Sequence, residues 1–395
     1  MNYQISDNMQ KVKGSAIREI FKIIAKPDII SFAGGIPDPK LFPKEKIAEI
    51  ANRIFTENSD VCFRYGITEG YAPLIEKVNA RLKIQNTYKE NGQTVITAGG
   101  NQALDLAAKV MLNTGDSVIV EEPSFIGVLN SFRTYGANLI GVPVLSDGMD
   151  VDRVEKILSE NSNVKILYTI PTFQNPSGIT MSIEKRKKLI EICKKHKVVI
   201  FEDNPYGELR YSGESLPTIK SLDNDDVVMY FGSFSKILSP GMRVGFVHGM
   251  TEIIEKLVVA KQVNDVHTGM INQMIVDKWI ETCDVDAHIK NSCEAYKKKC
   301  ELMLSEMDKK FPKCVEYTRP EGGIFIWCTM PEGYDSNEVV KICVDKKVAF
   351  VPGPTFMTDI EKVSSSFRLN FSTMPDEKIV EGIGILADAL KEIIK

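Results

Sequence analysis

The 395-residue chain holds only two tryptophans and four histidines, and its eight cysteines form no C-x-x-C pair. Cys193 and His196 sit three apart with no second pair near them, which argues against zinc. The cysteines read as reduced, mostly buried thiols. Charge of one sign is missing too: 49 Lys+Arg against 53 Asp+Glu gives a net −4, so no positive field of nucleic-acid size arises. No run approaches the roughly 18 apolar residues of a membrane span. The first twenty residues lack the apolar core of a signal peptide. The expectation is a soluble, cytoplasmic protein. Walker A, G-x-G-x-x-G, H-E-x-x-H and G-x-S-x-G are all absent, as are internal repeats and low-complexity segments.

The composition present is 43% hydrophobic and 26% charged, which is ordinary for a globular protein. At about 100–200 residues per domain, two domains are expected. Short apolar runs at Val118–Val120, Val164–Ile170, Val198–Phe201, Val227–Phe231 and Val244–Val247 read as strands buried on both faces. Helical patterns lie between them. One begins at the N-cap Ser182, with a Lys-rich face that reads as solvated. Strands alternating with helices predict an α/β fold with a mostly parallel sheet. After about residue 285 the pattern changes to a long helix (286–310), a Gly322-Gly323 turn into an apolar run, a helix near 336–346 and a strand near 367–371. That part reads as a smaller α+β domain.

Four strand ends carry chemistry. Gly232-Ser233-Phe234-Ser235-Lys236 leads on to Arg243 and Gly245. Open α/β sheets place ligands at the carboxyl ends of their strands, and two serines with an arginine suit a phosphate dianion. Lys236 is then either free for a Schiff base or simply a solvated loop lysine. Asp203, ending Val198–Phe201, needs a cationic partner if buried, either a pyridinium or a protein side chain. Tyr206 lies three residues on. Asn175-Pro176-Ser177-Gly178 is either a turn or an amide aimed at a ring oxygen. Gly99-Gly100-Asn101 opens a helix whose backbone N–H groups would bind phosphate.

In this order, S-x-S-K-x-x-x-P-G-x-R-x-G with N-P-x-G and D-x-x-Y upstream resembles the class I/II aminotransferases. These are pyridoxal-phosphate (PLP) enzymes of fold type I. The likeness runs from Ser31-Phe32-Ala33-Gly34-Gly35 to Phe367-Arg368-Leu369. It is strongest to the branch with 2-aminoadipate, kynurenine and multi-substrate aromatic or branched-chain aminotransferases. The resemblance implies a large PLP-binding domain (48–285) with a mostly parallel seven-stranded sheet. Residues 1–47 and 286–395 would form the small domain.

It also implies roles. Lys236 would bond the cofactor aldehyde and then move the Cα proton. Asp203 would keep the pyridine nitrogen protonated. Tyr206 and Asn175 would hydrogen-bond the ring oxygen. Ser233, Ser235, Arg243, Gly100 and Asn101 would hold the phosphate, joined by Tyr65 from the neighbouring subunit of a homodimer. Arg368 would grip the substrate carboxylate, with Gly34 and Gly35 lining the pocket. Phe125 stands where the family usually stacks a tyrosine, and Gly100 where relatives often carry serine.

The implied reaction is a ping-pong exchange between an L-amino acid and 2-oxoglutarate. Arg18 would meet a distal carboxylate of the donor, or stand exposed on a helix. Two rivals are a C–S β-lyase on the same fold and an effector-sensing regulator. The second would need a DNA-binding domain ahead of a resemblance that starts by residue 15.

Overall fold

The structure, a computed structural model, describes residues 3–10, 12 and 28–394. In chain order the first strands are β1 (Ile30–Ser31), β2 (Gly92–Thr97), β3 (Ser117–Glu122), β4 (Asn138–Leu145), β5 (Gly148–Met149), β6 (Val164–Thr169), β7 (Val199–Asp203), β8 (Val228–Ser233) and β9 (Gly245–Met250). Strands β2 to β9 make one sheet ordered β2-β9-β8-β7-β6-β3-β4-β5. The strands β8, β7, β6, β3 and β4 run parallel. Strand β9 runs against both its neighbours.

The apolar runs read from the sequence are these strands, buried as a parallel sheet covered on both sides requires. The sheet has eight strands rather than the expected seven. The extra one, β5, pairs with β4 through only two residues, too few to leave a hydrophobic run in the sequence.

Side chains alternate between the two faces of a strand, and here the alternation separates two cores. Val118, Val120, Ile166, Tyr168, Phe201 and Met229 join one cluster. Ile119, Leu167, Ile200 and Val228 join the other, under the helices Val151–Glu160 and Ile183–His196. The Lys-rich face of the second helix points outward into ion pairs such as Lys188–Glu155 and Lys194–Asp225. Surface pairs of this kind stabilise little.

The remaining strands are β10 (Glu316–Tyr317), β11 (Phe325–Thr329), β12 (Val348–Ala349), β13 (Val351–Pro352) and β14 (Ser366–Asn370). Four of them form an antiparallel sheet, β10-β11-β14-β13. Strand β12 pairs with β1, which ties the segment before Phe32 to the C-terminal part. The helices Val285–Lys310 and Asp376–Ile393 pack together beside this sheet. The first core cluster continues from the large sheet into Phe325, Phe367 and Ile383. All eight cysteines are free thiols, and six are buried. Among the described residues, no helix is long and apolar enough to cross a membrane.

Candidate active site

The carboxyl ends of the parallel strands share one edge of the large sheet. Because β9 is reversed, its entrance opens on the same edge. A cavity of about 290 Å³ sits there, lined by Gly35, Gly100, Asn101, Phe125, Asn175, Asp203, Tyr206, Ser233, Ser235, Lys236, Arg243 and Arg368. Residues far apart in sequence converge because most of them follow or precede a strand end, while Arg368 comes from the middle of β14.

One wall is an anion cradle. The helix Gly100–Met111 begins at Gly99, which offers no side chain to cap it, so its first N–H groups stay available. Beside it, the Ser233 hydroxyl donates to Ser235 Oγ at 2.9 Å. The Arg243 guanidinium donates to the Ala98 carbonyl at 2.8 Å. Gly99 has φ +84°, and a Cβ there would lie 2.4 Å from Arg243 Nη2. Only glycine therefore lets the arginine fork close on the helix start.

The middle of the cavity holds Asp203 and Lys236. Asp203 is buried, and burial pushes its carboxyl up to about 7, against the pull of the Tyr168 hydrogen bond and the Lys236 charge. Lys236 Nζ donates to the Gly35 carbonyl at 2.6 Å. Burial, then Arg368 and Arg243, lowers its amine to about 8. Such an amine is partly neutral near physiological pH. Tyr206 is buried with its hydroxyl 3.5 Å from Asn175 Nδ2.

At the other wall stands Arg368, 3% exposed. It donates to Asn175 Oδ1 and to the Ala33 carbonyl, each at 2.8 Å. Its Nε has no partner. The rings of Phe325 and Phe356 lie 4.1 and 4.9 Å from the guanidinium carbon. Burial lowers its pKa to about 10. No carboxylate of the chain pairs with this cation among the described residues.

Residues 27–386 match the family model of aminotransferase class I and II. The chain belongs to that family. This aminotransferase is 41% identical to the aromatic-amino-acid aminotransferase 1 of Thermococcus litoralis, over 99% of this chain and 94% of that one. The solved kynurenine aminotransferase of Pyrococcus horikoshii superposes with a TM-score of 0.95 at 40% identity, covering 99% of this chain and 98% of that one. The alpha-aminoadipate aminotransferase of Thermus thermophilus, solved with N-(5'-phosphopyridoxyl)-L-leucine, gives a TM-score of 0.90 at 37% identity over 99% and 98%. The enzyme is a transaminase whose cofactor is pyridoxal phosphate.

The residues present fit that group. An anion cradle, a lysine amine of lowered basicity and a buried carboxylate occupy one cavity. Phe125 offers a flat ring on one side, and its seating depends on Gly127. A Cβ there would lie 2.5 Å from the Phe125 ring and 2.9 Å from Asn101 Oδ1.

Three expected site residues stand apart. Gly34 is not in the cavity lining, unlike Gly35. Tyr65 is 89% exposed, its ring 5.8 Å from His267, and it does not reach the cavity of its own chain. Arg18 lies outside the described residues. At Gly100, a Cβ would meet only Ser233 Cβ at 3.7 Å and the Gly232 carbonyl at 3.8 Å, so the missing serine reflects no lack of room.

Other residues escaped the sequence reading. Tyr168 donates to Asp203 Oδ2 at 2.8 Å. Gln174 donates to Glu121 at 3.0 Å and to the Pro123 carbonyl at 2.8 Å, joining the loops that carry Asn175 and Phe125. Burial raises Glu121 to about 7. A glycine near a helix start, as at Gly127, was a readable sign of close approach. Tyr168 gave no sign, since an aromatic inside an apolar strand looks like core.

Proposed function

We propose that this enzyme moves the amino group of an aromatic, branched-chain or 2-aminoadipate-like L-amino acid to 2-oxoglutarate by a ping-pong cycle. When bound, pyridoxal phosphate supplies an aldehyde for amine exchange and an electron sink for the pair left at Cα. The chain's own residues do the rest. Arg368 grips the α-carboxylate of donor and acceptor alike with a planar fork. Lys236 would be the general base that takes the Cα proton and returns it on the far side of the shift. Asp203 would hold the ring nitrogen, and Asn175 and Tyr206 the ring oxygen. Ser233, Ser235, Arg243 and the backbone at Gly100 and Asn101 would hold the phosphate, and Phe125 would cover the ring. Gly35, with Gly34 behind it, leaves space for the substrate.

One observation carries this reading: a buried guanidinium with an idle Nε stands in the same cavity as a weakened lysine amine. A buried cation without an anion is costly, and a substrate carboxylate would offset that cost.

Residues 48–285 serve in this reading as the cofactor domain, with 1–47 and 286–395 as the small domain. Two copies would form a homodimer, with Tyr65 completing the partner's phosphate site. Supporting this, Phe63, Tyr65, Ile67 and Val263 are large exposed apolar side chains, and such patches suit association. The reading places the enzyme in the cytoplasm, where free thiols persist.

Among the described residues lining the cavity, the basic side chains are Lys236, Arg243 and Arg368. The apolar side chains of Ile36, Leu104 and Ile170 line it as well, which supports aromatic and branched donors beside 2-aminoadipate-like ones and hence broad specificity. A steady-state panel of donors with 2-oxoglutarate tests this. Comparable rates for aromatic, branched and glutamate-like donors are expected. A single dominant donor would defeat the claim of breadth.

A further inference from the structure

Asp203 has two carboxylate oxygens, and the chain engages one. Among the described residues, the Tyr168 hydroxyl is its only hydrogen-bond donor, reaching Oδ2 at 2.8 Å. Sheet register explains the contact. Tyr168 stands opposite Phe201 in the parallel β6/β7 pair. Phe201 and Asp203, two apart, share a face. The tyrosine therefore lies alongside the path to Asp203, fully buried. Its ring is braced edge-on by Phe132 at 6.0 Å.

We propose that Tyr168 is a positioning residue for transamination: by holding one oxygen of Asp203, it fixes the other toward the cofactor's ring nitrogen and keeps the carboxylate ionised. The proposal rests on the reading above that Asp203 faces that nitrogen. A phenol suits the task because it donates without adding charge. Burial and the neighbouring Asp203, Glu121 and Tyr206 hold the phenol well above its usual range, so it stays a donor. The other titratable groups around Asp203 are Glu121 on β3, Tyr206, Tyr230 on β8 and Lys236. Of all these, the Tyr168 hydrogen bond and the Lys236 charge favour the ionised carboxylate. Lys236 is committed to chemistry, which leaves Tyr168 as the permanent support.

The test is Tyr168→Phe in the holoenzyme, which keeps the ring and deletes one oxygen. Loss of a hydrogen bond to a charged group should lower kcat about tenfold, with donor KM within about twofold. A ring with less positive charge holds its neighbouring proton more tightly. The pH midpoint of the holoenzyme's visible absorption change should therefore move up by about half a unit or more. In an Asp203→Asn background the same substitution should change neither readout by more than about twofold, because the partner is gone. An unmoved midpoint, with only the unfolding temperature lowered, would make Tyr168 merely structural and overturn the proposal. An equal effect of Tyr168→Phe in both backgrounds would overturn it as well. If Asp203→Asn itself left rate and spectrum unchanged, the site reading beneath it would fall instead.

Discussion

Glu202 and Asp203 are adjacent in sequence and point to opposite faces of the sheet, into two regions that treat buried charge differently. On the far face, Arg186 is fully buried. Its guanidinium donates to the carbonyls of Met181, Pro217 and Pro171 and to Thr172 Oγ1, at 2.8–3.0 Å. Glu202 accepts the backbone N–H groups of Ile219 and Lys220 at 2.8 and 2.7 Å. On the cavity face, Arg368 makes two hydrogen bonds and leaves Nε idle, while Asp203 receives one. Both regions hold an arginine and a carboxylate out of water. The saturated set completes the scaffold, because the guanidinium of Arg186 and the carboxylate of Glu202 are both answered within the chain. The unsaturated set is a receptor, because what it lacks is what a ligand brings.

The largest effect expected from breaking this contrast lies at its centre. Lys236→Ala should lower kcat about 10⁴-fold, by removal of the proton-moving amine, and should abolish the cofactor's lysine-linked absorption band. A variant keeping either would remove Lys236 from its role. Next comes a matched pair. Arg368→Met should lower kcat/KM about a hundredfold for donor and for 2-oxo acid alike. Its unfolding midpoint should hold or rise, since an apolar side chain replaces an undersatisfied buried charge. Arg186→Met should do the reverse, costing about 3 kcal/mol of stability, read by denaturant unfolding, while the KM values stay near wild type. If the two variants behaved alike, the distinction between scaffold and receptor would fail.

The smallest effect is a slope. Asp203 binds its proton more tightly folded, at about 7, than unfolded, near 4. A raised carboxyl contributes stability that is complete below the unfolded value and is lost as pH rises through the folded one. In the cofactor-stripped protein, Asp203→Asn should therefore gain in thermal midpoint relative to wild type between pH 5 and pH 8. A pH-independent difference would show that the buried carboxyl does not titrate in that window.

Much of this was legible in the sequence because the chemistry sits at strand ends. The apolar runs of β3, β6, β7 and β8 announced themselves, and a polar cluster directly after such a run marks the sheet edge. Ser233, Lys236, Asp203 and Asn175 all follow that rule. Arg368 was read only through family likeness, since it lies mid-strand on β14. The support around the site stayed hidden because it depends on register. Tyr168 meets Asp203 only once β6 is set beside β7. Arg186 sits inside a run of lysines, and only the helix phase turns it inward while Lys187 stays out. The two-residue β5 fell below what any hydrophobic pattern can display.

The reversed direction of β9 has a consequence for how the site is wired. A return between parallel strands takes a long crossover. Here the chain leaves the rim at Ser233 and is back at the same rim by Arg243. In the proposed reading, Lys236 thus hangs from a short bridge pinned at both ends to the residues that would grip the phosphate, and a shift of either pin would carry the amine with it.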